Sequence, residues 1–237
     1  MFSEQFSSLA KEPFFSTGED SELRVIFGSG AIDCIGEEAK AFGRKVLLVT
    51  DKGIVAAGHV DPALTLLRDA GLEVAVFDES IENPTSSSVN NCKNIAQSFG
   101  ADLLIGFGGG SSMDTAKGCN FVLTNGGEMK DYWGVGKAAK DMLPFIAVPT
   151  TAGTGSECQS FALISDDSSH RKMACGDSKA LAKVAILDPD LTISQPLSVT
   201  SCTGIDAYAH ALEAAVTLKR NEFSARHSRM ALMLLAD

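Results

Sequence analysis

Apolar residues along this chain gather into short runs, separated by longer stretches with helical spacing. The runs at residues 23–27, 46–50, 73–77 and 103–107 predict strands, and the spacing predicts helices over about 61–70 and 86–99. Each strand is apolar almost throughout instead of alternating, as expected for a parallel sheet covered by helices on both faces. Strand and helix in turn mean βαβ units. The start at Ser86-Ser87-Ser88 follows Asn83-Pro84-Thr85, where proline ends an extended segment and serine is expected to cap the new helix. Further on come a helix over about 113–123, a loop rich in Gly126, Gly127, Gly134 and Gly136, and strands at 145–148, 161–164 and 184–187.

Asp188-Pro189 breaks this pattern, and beyond Pro196 the sequence is wholly helical. Ala207, Ala211, Leu212, Ala215 and Val216 mark one apolar face; Met230, Leu232, Met233 and Leu234 mark another. The expected organisation is a poorly ordered segment at 1–22, an α/β domain at 23–196, and the first helices of an all-α domain at 197–237. About forty residues are too few to enclose a core alone, so that second domain is expected to be cut short.

With 45% hydrophobic residues, 21% charged residues and 22 glycines, the composition is that of a packed α/β protein. No apolar stretch approaches the roughly 18 residues of a membrane helix. Twenty basic against thirty acidic side chains leave a net charge of −10, which repels nucleic-acid backbones and anionic lipid. Neither nucleic acid nor membrane is an expected partner. Six separated cysteines with no C-x-x-C pair, and no signal-peptide pattern, read as a reduced, cytoplasmic chain.

Three places carry candidate chemistry. After the strand at 103–107 comes Gly108-Gly109-Gly110-Ser111-Ser112, opening a helix. Contiguous glycines let a backbone approach a bulky ligand, and the N–H groups at a helix start attract phosphate. The string is neither G-x-G-x-x-G nor a Walker loop, and a tight glycine turn is the alternative. A second loop, Pro149-Thr150-Thr151-Ala152-Gly153-Thr154-Gly155-Ser156-Glu157, offers four hydroxyls after another apolar strand, where ligands bind in open α/β sheets. Asp51, after the strand at 46–50, stands where an acidic residue would meet a ribose, or where a helix cap would stand. Third, Asp206 and His210 lie four apart on a helix and share a face, so together they could grip a divalent cation. For an isolated pair, a helix-surface hydrogen bond is the plainer reading. His59, His170 and His227 read as ordinary polar residues. Tyr132 and Trp133 could cap a nucleotide or merely pack.

In this order, Thr50-Asp51-Lys52, Asn83-Pro84-Thr85, Gly108 to Asp114, Pro149 to Glu157, and Gly204-Ile205-Asp206 with His210 resemble the iron-containing (group III) alcohol dehydrogenases, from Phe27-Gly28 onward. The resemblance implies a Rossmann-like dinucleotide-binding domain and a helical metal-binding domain. It also implies NAD as cofactor, Fe²⁺ or Zn²⁺ as metal, a small-molecule alcohol or aldehyde as substrate, and a homodimer. Asp51 would meet the adenosine ribose and Gly109, Gly110 and Ser111 the pyrophosphate. Thr150, Thr151 and Thr154 would surround the phosphates and nicotinamide ribose, and Lys172 would reach that ribose. Asn83 and Asp114 join the cofactor set, and Asp206 and His210 would be the first two metal ligands. The family completes its site with two further histidines, expected beyond residue 237, so the metal site is expected to be incomplete here. Glycerol dehydrogenases and dehydroquinate synthases share the two-domain plan and are the neighbouring reading. An inert nucleotide-binding fragment is the reading from a different class.

Overall fold

The computed structural model describes residues 15–16 and 23–236. Its strands are β1 (Phe15–Ser16), β2 (Arg24–Phe27), β3 (Lys45–Val49), β4 (Glu73–Phe77), β5 (Leu103–Gly108), β6 (Gly134–Val135), β7 (Phe145–Pro149), β8 (Phe161–Ser165), β9 (Lys172–Gly176) and β10 (Val184–Leu187). The α-helices are α1 (Ile35–Lys40), α2 (Lys52–Ala56), α3 (Val60–Asp69), α4 (Ser86–Phe99), α5 (Gly110–Asn125), α6 (Leu197–Val216) and α7 (Glu222–Leu235). The expectation of weak order at 1–22 falls outside the described residues, save that Phe15 and Ser16 pair antiparallel with Val25 and Arg24.

The larger sheet runs β1-β2-β10-β7-β5-β3-β4, and every pair from β2 to β4 is parallel. Its strands bury both faces. Val46, Leu48, Ile105, Phe107, Ile146 and Val148 meet α1 and α3 on one side, where Ile35, Ala39, Leu64 and Leu67 are buried. Leu47, Val49, Leu104 and Ala147 meet α4 and α5 on the other, through Cys92, Ala96, Met113 and Ala116. This two-sided burial explains the unbroken apolar runs. From β3 the chain goes outward to β4, then returns past β3 to lay β5 on its other side. The crevice between the carboxyl ends of β3 and β5 is therefore the topological switch point, where open α/β sheets bind ligands.

A second sheet, in the order β6-β9-β8, was not foreseen. The strand expected at 161–164 is β8, which alternates half-buried and buried positions, the signature of a one-sided sheet. Its antiparallel partner β9 begins at Lys172 inside a charged stretch, which hides it. Between the two sheets lies α5, buried from Ser112 to Val122. Phe121 and Val122 pack under the small sheet with Ile164, Met173 and Cys175. A helix covered all round shows no amphipathic stripe, and its apparent start at 113 moves back to Gly110.

The short helices α1 and α2 also escaped the sequence pattern. Thr85, not a serine, caps α4: its Oγ1 accepts from the Ser88 amide at 3.3 Å while Ser88 Oγ accepts from the Thr85 amide at 3.0 Å. Pro196 stands at the start of α6. The helices α6 and α7 pack on one another, with Ser228 Oγ donating to the Ala211 carbonyl at 2.5 Å. Among the described residues no helix is long and apolar enough to cross a membrane.

Candidate functional site

Three loops converge at the carboxyl ends of β3, β5 and β7. After β3, Asp51 does two things. Its Oδ1 caps α2, accepting from the Gly53 and Ile54 amides at 2.8 and 3.1 Å, and its Oδ2 accepts from Ser112 Oγ at 3.2 Å. The carboxylate thus bridges the switch-point crevice. At the end of β5, Gly108 adopts φ 149°, and a Cβ there would lie 2.7 Å from Ser112 Oγ, so this position demands glycine. Gly109 is extended and caps α5. The Ser112 and Met113 amides fold back onto the Gly109 carbonyl, which leaves the Gly110 and Ser111 amides at the helix mouth. After β7, the Thr150 amide donates to the Gly108 carbonyl at 2.9 Å, binding the two loops side by side. A Cβ on Gly110 would sit 3.1 Å from the Thr154 side chain.

These loops and the start of α6 enclose a cleft of about 970 Å³, lined by Asp51, Lys52, Gly109 to Ser112, Thr150, Thr151 and Thr154 on one side and by Gln195, Val199, Cys202 and Thr203 on the other. The hydroxyls of Thr150 and Thr151 are buried without a hydrogen-bond partner. An orphaned buried hydroxyl is costly unless something completes it. Two such groups beside an open helix start fit a phosphate-bearing ligand.

Other expected cofactor residues lie elsewhere. Asn83, at φ 53°, donates its amide to Ser111 Oγ at 3.4 Å and accepts from Lys172 Nζ at 2.8 Å, so Asn83 and Lys172 form one unit that reaches the cleft through Ser111. Asp114 is 8% exposed and faces inward: Asp114 Oδ1 accepts from Ser156 Oγ at 2.8 Å, and Lys117 Nζ is 3.9 Å away. It touches the threonine loop from beneath and does not line the cleft. Trp133 is half-exposed under the Arg171 guanidinium, 4.7 Å away, and Tyr132 is buried against Phe121, so both pack outside the cleft.

On α6, Asp206 Oδ1 and His210 Nε2 are 3.6 Å apart, both half-exposed. His210 Nδ1 lies 3.1 Å from the Gly153 carbonyl. A carbonyl can only accept, so Nδ1 is the donor of this contact and Nε2 is the nitrogen turned toward Asp206. This is how a ligating imidazole is commonly held. Among the described residues no cluster of three or more His, Cys, Asp or Glu could hold a metal. His227 Nδ1 meets the Phe223 carbonyl on its own helix, and His59 Nε2 meets Ser194 Oγ.

Sequence reasoning placed Ser112 and Ser156 within the two loop motifs but gave no role to Lys117. Lys117 is 1% exposed, and its Nζ donates to the Ser156 carbonyl and hydroxyl and to the Gln159 and Phe161 carbonyls. Burial pulls it down to about 8, against the pull of the Asp114 and Glu157 carboxylates. A lysine three residues after an aspartate, with Ala116, Cys119, Phe121 and Val122 close by on the same helix, was the signal to follow.

A crevice at the switch point, an open helix start with a glycine loop, and paired hydroxyls define an α/β domain whose cleft fits a phosphate-bearing ligand, followed by helices on the first of which Asp206 faces His210. The family model for iron-containing alcohol dehydrogenase matches residues 23–189, and the chain belongs to that family. It is 40% identical over 192 residues to an NAD-dependent methanol dehydrogenase of Bacillus methanolicus, covering 81% of this chain and 50% of the relative. A choline dehydrogenase of Bacillus subtilis is 43% identical over 190 residues, covering 78% and 47%. Among solved structures, an alcohol dehydrogenase from Oenococcus oeni superposes with a TM-score of 0.86 at 33% identity, covering 89% of this chain and 56% of that one. The chain spans about half the length of the curated relatives it matches.

Proposed function

We propose that this chain supplies the NAD-binding domain and the first two metal ligands of an oxidoreductase that interconverts an alcohol with an aldehyde or ketone. The observation that carries the reading is the single loop at 149–158: its buried, unpartnered threonine hydroxyls face the cleft while its Gly153 carbonyl orients His210. In this reading the Gly110 and Ser111 amides hold the pyrophosphate, Thr150, Thr151 and Thr154 surround the phosphates and nicotinamide ribose, and Asp206 and His210 hold iron or zinc. When bound, the nicotinamide supplies the hydride acceptor and the cation the Lewis acidity that lowers the alcohol's pKa. The chain's own residues bind and orient: the loops fix the dinucleotide across the switch point, and the Gly153 carbonyl, accepting from Nδ1, fixes the orientation of the His210 ring. The free state of all six cysteines agrees with a reducing, cytoplasmic setting.

The test is a titration of the purified chain with NADH, followed by fluorescence, beside Zn²⁺ and Fe²⁺ titrations. Micromolar NADH binding with weak metal binding is expected, since a catalytic metal normally takes three or more protein ligands and two are identified here. No binding of NADH would remove the reading.

Asp51 sets a further expectation. Its like charge would repel a 2′-phosphate, so NAD should bind more tightly than NADP. Asp51→Asn keeps a competent cap for α2 while removing the charge. NADP affinity should rise roughly tenfold, about 1.4 kcal/mol, with the melting temperature little changed. Equal affinities in the parent, or no gain in the variant, would take Asp51 out of this role.

A further inference from the structure

We propose that Lys117 is a positioning residue for the cleft: its buried ammonium group clamps the 149–158 loop in the conformation that presents Thr150, Thr151 and the Gly153 carbonyl. This rests on the nucleotide reading of the cleft.

The loop has little backbone bonding of its own. It is tied at its start by the Thr150 amide to the Gly108 carbonyl, and near its end by the Cys158 amide to the Gly155 carbonyl. Between those points the threonines and Gly153 have to be held by something else. Lys117 fastens the end of this stretch from beneath, at Ser156 within the loop and at Gln159 and Phe161 just after it. Nζ is 2.5 Å from the Ser156 carbonyl, 2.9 Å from Ser156 Oγ and from the Gln159 carbonyl, and 3.0 Å from the Phe161 carbonyl. Ser156 Oγ in turn donates to Asp114 Oδ1 at 2.8 Å, so the loop is fastened to two adjacent turns of α5. Because α5 is walled in by both sheets, its residues form a fixed anchor. An apolar residue at 117 would be easier to bury than a charge, and what the charge adds is a specific set of oxygens, hence one loop conformation. Without it the loop must order as the nucleotide binds, which lowers affinity.

The experiment compares the parent, Lys117→Met, Ser156→Ala and Gly36→Ala by NADH titration and by amide hydrogen exchange without nucleotide. Gly36→Ala controls for general destabilisation: its Cβ would meet the Leu66 carbonyl at 2.5 Å, between α1 and α3, on the opposite face of the sheet from α5. Lys117→Met should bind NADH at least tenfold more weakly, and amides 151–157 should exchange at least tenfold faster while those of β3 and β5 keep their protection. Ser156→Ala, which loses one of the four oxygens and the link to Asp114, should show about a threefold effect on both readouts. Should Lys117→Met not fold, the serine variant decides. Parent-like affinity and loop exchange in a folded Lys117→Met, or in Ser156→Ala, would overturn the proposal, as would equal loss of affinity in Gly36→Ala. A parent that binds no NADH would sink the nucleotide reading instead, and the loop exchange would then judge the clamp alone.

Discussion

Gly109→Val should weaken NAD binding at least a hundredfold, about 3 kcal/mol, and leave the fold intact. The two halves of that expectation come from different observations. Gly109 has φ −74° and ψ −177°, a conformation open to any residue, and a Cβ there would meet Thr151 no closer than 3.6 Å. The backbone therefore accepts the substitution. The added methyl groups, however, occupy the space over the start of α5, beside the Gly110 and Ser111 amides on which a pyrophosphate would rest. Its neighbour shows the contrast, since any side chain on Gly108 would strain the backbone and collide with Ser112. Near-ultraviolet circular dichroism and an NADH titration read both halves. A folded valine variant that binds like the parent would put the phosphate cradle elsewhere.

Gly153→Ala should act on the other side of the cleft. A Cβ at this position would fall 2.1 Å from the Thr203 carbonyl oxygen and 2.7 Å from its carbon, and neither backbone atom can swing aside. The loop and α6 must move apart, which should cost about 1–3 kcal/mol of stability. His210 Nδ1 then loses its carbonyl and the imidazole its fixed orientation, so Zn²⁺ affinity should fall by roughly 10- to 100-fold. Unaltered zinc titration in the variant would show that the Gly153 carbonyl does not orient His210.

Both glycines stand in strings that the sequence displayed plainly, and the reason is physical. Backbone that must pass close to other backbone tolerates few residue types, so these loops advertise themselves. The strands β3, β5, β7 and β10 were legible for a similar reason, since burial on both faces leaves a run of apolar residues with no polar interruption. What stayed hidden depends on partners distant in the chain. The strand β9 is recognisable only beside β8, and Lys117 gains its meaning from oxygens on residues 156, 159 and 161. Asp51 was ambiguous between cap and cleft residue, and it turned out to be a cap with a second oxygen turned toward Ser112. Asp114 shared the motif of its neighbours, but a position four residues into a covered helix turns it inward.

The burial of α5 on every side has a mechanical consequence. A helix pressed between two sheets cannot tilt without opening one of them, so packing on both sides holds the jaw of the cleft formed by Gly109 to Ser112 in place. The opposite jaw, α6, joins the α/β body through Pro196 and is linked to the threonine loop by the hydrogen bond of His210 to Gly153. Any change in the width of the cleft therefore falls on this second jaw. A dinucleotide would enter against a packed template, and the compliance of the machine would reside where Asp206 and His210 stand.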